Sequence, residues 1–187
     1  MSKNTSISRS TLMADKYKFK IVFIGDGGVG KTSLIRRYTQ KSFQKQYIKT
    51  IGAQFSFYEK QVDNDQVRSI FYDIAGQDNF KFMRKMFFKD SKAAVIVYSL
   101  MDDKMGKESF KNIKAWYNDV IKFCGSIPIA VIANKVDLSY ENVVDIIDIR
   151  EIIKEKEFLG YYVTSAKTGQ GVKEAFNSII EGVYYKN

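Results

Sequence analysis

Gly25-Asp26-Gly27-Gly28-Val29-Gly30-Lys31-Thr32 fits the pattern G-x-x-x-x-G-K-[ST], and its flanks decide how it is read. Before it, Tyr17 to Ile24 (YKFKIVFI) is a β-branched and aromatic stretch that reads as a strand. After it, Ser33-Leu34-Ile35-Arg36-Arg37-Tyr38 reads as the first turns of a helix. Glycines let successive backbone N–H groups curl around an anion without Cβ clashes, and the helix N-terminus adds its partial positive charge. Gly25, Asp26, Gly27, Gly28, Val29 and Gly30 would form that cradle, with Ser33 in the first helical turn beside it. Lys31 would reach the outer phosphates of a ligand, and the Thr32 hydroxyl would ligate Mg²⁺. The plain alternative is a glycine turn that merely starts a helix. The flanks favour a phosphate-binding loop.

Composition narrows the chemistry. The chain has 187 residues, 45% of them hydrophobic and 14% aromatic, which suits one globular domain with a real core. No apolar run approaches the length of a membrane span, and Met1 to Met13 is polar, without the apolar core of a signal peptide. The reading is therefore a cytoplasmic protein. There is one cysteine, Cys124, and there are no histidines. That removes intramolecular disulfides, zinc fingers, Ser-His-Asp or Cys-His catalysis and His-based metal sites. Oxygen ligands and backbone amides must do any chemistry, which suits Mg²⁺ and phosphates. The net charge is +9, from 30 Lys+Arg against 21 Asp+Glu. The lysines are scattered, without an arginine-rich block or an RNA-binding signature, so no nucleic-acid partner is expected. They read as a solvated surface, with weak peripheral attraction to anionic membranes as the functional alternative.

Residues 1–16 read as a flexible extension and 17–187 as the folded domain. After the first strand and the loop, a helix is predicted from Lys31 to Lys41, then a polar connection from Ser42 to Thr50. Gly52 to Val62 has strand character, with Phe55 and Phe57 on one face. Asp63-Asn64-Asp65 turns the chain, and Val67 to Tyr72 returns as the second arm of a hairpin. Ala93 to Tyr98 and Pro128 to Ala133 are near-continuous apolar runs, as strands covered on both faces require. Lys107 to Phe123 is predicted as a helix with Phe110, Ile113, Trp116, Tyr117 and Val120 along its inner stripe. Ile146 to Phe158 follows as a helix, Tyr161 to Val163 as a short strand, and Val172 to Tyr185 as a closing helix. The alternation predicts an α/β, three-layer sandwich. Its six-stranded sheet is mostly parallel with one antiparallel hairpin strand, and about five helices cover it. Ligands then belong at the carboxyl ends of the strands.

Those ends carry chemistry. Asp73-Ile74-Ala75-Gly76-Gln77 follows one strand: an aspartate there can hold Mg²⁺ through water, and Gly76 can bring a backbone N–H to a terminal phosphate. Asn134-Lys135-Val136-Asp137 follows another, and Thr164-Ser165-Ala166-Lys167 a third. Singly each occurs by chance, and Asp73 or Asp137 could simply cap a turn. Four motifs in fixed order, each at a predicted strand end, are not coincidence.

With these residues in place, the chain resembles a Ras-superfamily small GTPase, a P-loop NTPase, from about Lys18 to Tyr185. Within the superfamily it is most similar to the Rab branch, through Thr50-Ile51-Gly52-Ala53-Gln54-Phe55, Asp73-Ile74-Ala75-Gly76-Gln77-Asp78 and Val97-Tyr98. It departs from that branch in carrying Tyr72 and Ile74 where tryptophan and threonine are usual. The resemblance implies that Asp137 accepts hydrogen bonds from the guanine N1–H and 2-amino group, neither of which adenine offers. It implies that Asn134 braces the base loop, that the Lys135 stem covers the ring, and that the Ala166 N–H meets O6. Ser165 and Lys167 would lie near the base, and Phe43, seven residues before Thr50, against it. Thr50 would complete the Mg²⁺ shell with Thr32 and Asp73, Tyr47 would fold over the phosphates, and Gln77 would orient the attacking water. The implied catalytic set is Gln77, Lys31, Thr50 and Gly76. The implied activity is hydrolysis of GTP to GDP by a monomeric molecular switch in signalling or membrane trafficking. Its segments 43–54 and 74–86 would order around the γ-phosphate, and an exchange factor, an activating protein and effectors would be its partners.

Rab-like proteins commonly end in a tail with prenylation cysteines, whereas this sequence stops at Tyr184-Tyr185-Lys186-Asn187, and Ser2 stands where N-myristoylation needs glycine. A shortened chain, membrane contact by charge or by a partner, and action away from membranes remain open at this point. Two other readings stand beside the switch. A P-loop ATPase or kinase shares the opening motif but not the later ones, and a GTP-binding scaffold would bind without hydrolysing.

Overall fold

The strands form because apolar side chains recur at every second position or without interruption. The computed structural model describes residues 17–43, 49–76, 84–138, 151 and 158–187. Strand β1 (Tyr17–Ile24) is followed by α1 (Lys31–Gln40), β2 (Ala53–Val62), β3 (Asp65–Ile74), α2 (Arg84–Phe88) and β4 (Ala93–Ser99). Then come α3 (Lys104–Lys111), α4 (Ile113–Cys124), β5 (Ile129–Asn134), a 3₁₀ turn (Val136–Leu138), β6 (Phe158–Thr164) and α5 (Val172–Tyr184). The sheet runs β2-β3-β1-β4-β5-β6, and only β2 and β3 pair antiparallel.

Alternation along β1 divides the core in two. Phe19, Ile21 and Phe23 face one layer with α1 and α5, while Val22 and Ile24 face the other with α2 and α4. In the first layer the Phe176 ring stacks on Phe23 at 5.1 Å and on Tyr38 at 4.5 Å, and meets Phe71 edge-on at 5.3 Å. Strands β4 and β5 are buried along their whole length, as sheets covered on both faces demand. The β2 edge keeps Phe55 and Phe57 exposed on one face, as their spacing predicts. Tyr72, which replaces the usual tryptophan, is half-buried between the Phe55 ring at 4.5 Å and the Lys20 ammonium at 4.3 Å. Ile74 is buried in the second layer.

Several boundaries differ from the sequence reading. Strand β3 runs from Asp65 to Ile74, so Asp65 is no longer part of the turn and Asp73 lies inside the strand, opposite Phe23 of β1. Asn134 is likewise the last residue of β5 and Thr164 the last of β6, and the two are paired in register. The predicted 107–123 helix is two helices, α3 and α4, which meet at Asn112, whose side chain donates to Asp26. Phe158 pairs with Ile129 as the start of β6 and is not helical. The rest of the predicted 146–158 helix, except Glu151, falls outside the described residues, as does the extension 1–16.

Replacing Phe176 with alanine removes three ring contacts from a fully buried position. Urea denaturation at a fixed GDP concentration should show a loss of about 3–5 kcal/mol.

Candidate functional site

The loop between β1 and α1 lies at the carboxyl end of β1, between strands that lead the chain in opposite directions across the sheet. Gly30, at φ 105°, caps α1 without a side-chain hydrogen bond, and the first turn of α1 holds no acidic residue. The amides there are left for an anion. A Cβ at Gly30 would stand 2.2 Å from Asn134 Nδ2, and one at Gly76 would stand 2.2 Å from the Gly25 carbonyl oxygen. Only glycine leaves room for the Asn134 side chain at the first position and for the Gly25 backbone at the second. Gly28 sits beside the Met105 side chain, and Ser33 is half-buried in the first turn.

The Lys31 ammonium is buried and donates to the carbonyls of Gly25 and Asp26, each at 2.7 Å. Burial pulls its pKa down to about 8, against the opposing pull of the Asp73 and Asp26 carboxylates. The Thr32 hydroxyl donates to Asp73 Oδ2 and lies 3.0 Å from the Thr50 hydroxyl. The second Asp73 oxygen, Oδ1, is buried without a hydrogen bond among the described residues. Burial raises the Asp73 pKa, while the Thr32 hydrogen bond and the Lys31 charge work the other way. Two hydroxyls and an under-satisfied carboxylate are hard oxygen donors, and this set fits Mg²⁺.

The other end of the cleft is built on β5 and β6. Asn134 is buried; its Nδ2 donates to the Val29 carbonyl at 2.9 Å, and its Oδ1 accepts from the Ala166 N–H at 3.1 Å and the Thr164 hydroxyl at 3.2 Å. The Ser165 hydroxyl donates to Asp137 Oδ1 at 2.6 Å and accepts from the Thr168 N–H at 3.1 Å. Asp137 Oδ2 is buried without a hydrogen bond among the described residues, and the Lys167 ammonium stands 3.6 Å from it. Lys135, at φ 70°, lays its chain against Met101, with Nζ 3.2 Å from the sulfur, and burial lowers its pKa.

The structure therefore brings together Gly25 to Ser33, Thr50, Asp73 and Gly76 at one end, and Asn134, Lys135, Asp137, Ser165, Ala166 and Lys167 at the other. Phe43 packs at the edge of the first core layer, with the Arg37 guanidinium 5.8 Å from its ring centre. Gln77 and Tyr47 lie outside the described residues. The expectation that the Ala166 N–H meets a ligand has to reckon with its bond to Asn134.

Sequence reasoning missed three residues. The Asp26 carboxylate accepts from Asn112 Nδ2 at 2.7 Å and from the Trp116 indole N–H at 2.8 Å, so α4 anchors the phosphate loop. Arg37 donates to the carbonyls of Ala166 and Lys167. The helical stripe points to Trp116 as a core residue, but nothing local marks its N–H, or Asn112 and Arg37, as parts of the site.

The family model described as "Ras family" matches residues 20–185. A Ras-related protein Rab-21 of Bos taurus is 35% identical over 161 residues, covering 86% of this chain and 70% of its own length. A Ras-related protein Rab-7L1 of Rattus norvegicus is 36% identical over 170 residues, covering 87% of this chain and 80% of its own.

Lys31 gives a prediction for the nucleotide-free chain. The unfolded chain holds this proton up to the ordinary 10.5, whereas the folded chain releases it from about pH 8. The folded state thus binds fewer protons in that window, and stability should rise with pH across it. Urea denaturation between these values should show a rise that Lys31→Met reduces, the remainder belonging to groups such as Lys135 whose pKa burial also lowers.

Proposed function

This chain belongs to the Ras family, most similar within it to the Rab branch, and we propose how its residues run that family's chemistry. The protein is a small GTP-binding protein that hydrolyses GTP to GDP and phosphate and acts as a GTP/GDP switch. Neither an ATPase nor a scaffold reading is favoured. One observation supports the division of labour most strongly. Two buried carboxylate oxygens without hydrogen bonds among the described residues, on Asp73 and Asp137, sit at the two ends of the site that Asn134 ties together.

At the base end, Asp137 Oδ2 is free to accept from the guanine N1–H and 2-amino group. Adenine would leave that oxygen buried without a hydrogen bond, which is the stronger part of the discrimination. Ser165 keeps the other oxygen occupied and so fixes the carboxylate plane. Phe43 and the stems of Lys135 and Lys167 form the apolar walls. At the phosphate end, Lys31 exchanges its two carbonyls for phosphate oxygens, and the amides of Gly25 to Ser33 and Gly76 surround them. Thr32, Thr50 and, through water, Asp73 would hold Mg²⁺, which neutralises charge on the phosphates when bound. Gln77 orients the attacking water, and Tyr47 covers the phosphates.

Arg37, Arg68 and Arg84 are held by Ala166 and Lys167, by Glu59 and by Asp119. Intrinsic hydrolysis is expected to be slow, and an activating partner that supplies an arginine should speed it by a factor on the order of 10³ to 10⁵. A Cβ at Gly27 would meet nothing within 4 Å, so that position leaves room for it. Ile51, Phe55, Phe57 and Met86 are exposed large apolar side chains, which supports engagement by an exchange factor, an activator and effectors. The likeness to the Rab proteins supports a monomer of the cytoplasm, peripheral to membranes and acting in membrane trafficking. No described helix is long and apolar enough to cross a membrane.

Phosphate release should be measured in a single turnover of GTP-loaded chain, with ATP as competitor. Excess ATP should leave the signal unchanged, and Gln77→Leu should slow both the intrinsic and the activator-stimulated rate. Displacement of GTP by ATP would overturn the base assignment; an unchanged rate in Gln77→Leu would remove Gln77 from the mechanism.

A further inference from the structure

Arg37 sits on α1, away from the motifs that mark the site, yet it grips the base loop across 129 residues of sequence. Its Nε donates to the Ala166 carbonyl at 2.7 Å and its Nη2 to the Lys167 carbonyl. Its guanidinium also lies 5.8 Å from the Phe43 ring centre, so one side chain touches two walls of the expected base site. A guanidinium is a planar fork with fixed donor directions, and holding two consecutive carbonyls from one side sets the orientation of two peptide planes.

That orientation has a consequence for the amides. In a trans peptide the C=O and the following N–H point in opposite directions, and the described residues hold no cis peptide. Drawing the Ala166 carbonyl toward α1 turns the Lys167 N–H away from it. The Ala166 N–H already donates to Asn134 Oδ1, whereas the Lys167 N–H has no hydrogen-bond partner among the described residues. Lysine in place of arginine offers three donors on one rotating point charge, without the planar fork that fixes both planes from the same side.

We propose that Arg37 is a positioning and specificity residue for the guanine base, aiming the Lys167 N–H at O6 by holding the Ala166 and Lys167 carbonyls. The proposal rests on the guanine reading given above. Arg37 itself touches no nucleotide; it sets the loop that does. Its loss is felt at the sixth position of the ring and not at the second, which belongs to Asp137.

The test compares affinities of wild-type chain, Arg37→Lys and Arg37→Met for GDP, IDP and 6-thio-GDP. IDP lacks the 2-amino group but keeps O6, and 6-thio-GDP replaces O6 with sulfur, a weak acceptor. Arg37→Met should weaken GDP and IDP about tenfold each, and 6-thio-GDP by no more than about threefold. Arg37→Lys should show the same selectivity at smaller size, and carries the test if Arg37→Met does not fold. Equal weakening of all three nucleotides, or unchanged affinity, overturns the proposal. ADP serves as the separate control: preference for ADP in the wild-type chain defeats the guanine reading itself.

Discussion

The side chain of Asn134 is the constraint on which both ends of the cleft depend. A carboxamide offers one acceptor oxygen and two donor hydrogens. Here the donor side holds the phosphate loop at the Val29 carbonyl, and the acceptor side holds the base loop through the Ala166 N–H and the Thr164 hydroxyl. Asn134 can do this because it ends β5, paired in register with Thr164 of β6, so its direction is fixed by the sheet ladder. Aspartate would lose the donor, and leucine would leave a carbonyl and an amide buried without partners. The requirement spreads outward: with Asn134 Nδ2 so close, Gly30 has no room for a side chain.

The site so built is electrostatically incomplete. Among the described residues, Asp73 and Asp137 each keep a buried oxygen without a hydrogen bond, and Lys31 satisfies itself on the carbonyls of its own loop. Such groups cost stability when desolvated, and the raised pKa of Asp73 and the lowered pKa of Lys31 both record burial as the leading cause. A nucleotide that supplies donors at one end and oxyanions at the other offsets these costs. Binding and stability are accordingly linked in this protein by mass action as well as by geometry.

Much of this was legible in the sequence, for a reason that can be stated. The phosphate loop, Asp73, Asn134 to Asp137 and Thr164 to Lys167 each carry their chemistry within a few consecutive residues, and the apolar runs of β4 and β5 locate the strands before them. The strand ends were not legible, because pairing extends them: Asp73 joins β3 opposite Phe23, and Phe158 joins β6 opposite Ile129. Nor was the break at Asn112, since the amphipathic stripe continues across it and the carboxylate that draws its side chain lies 86 residues away. Arg37 belongs to the same class. A side chain that grips backbone carbonyls has no partner residue type for a sequence pattern to register.

The phosphate loop is held from two sides. On one side Asn134 fixes Val29; on the other, Trp116 and Asn112 fix the carboxylate of Asp26. Trp116 is in turn covered by the Arg84 guanidinium, 4.0 Å from its ring centre, which α2 presents and Asp119 of α4 neutralises. Hydrogen bonds to an ionised carboxylate are among the stronger ones, and two of them converge on Asp26. These tethers fix where the loop presents its amides and the two carbonyls on which Lys31 rests. Glycine supplies the shape of the loop, but its anchorage comes from the Asp26 carboxylate on Asn112 and Trp116 and from a carboxamide at the end of β5.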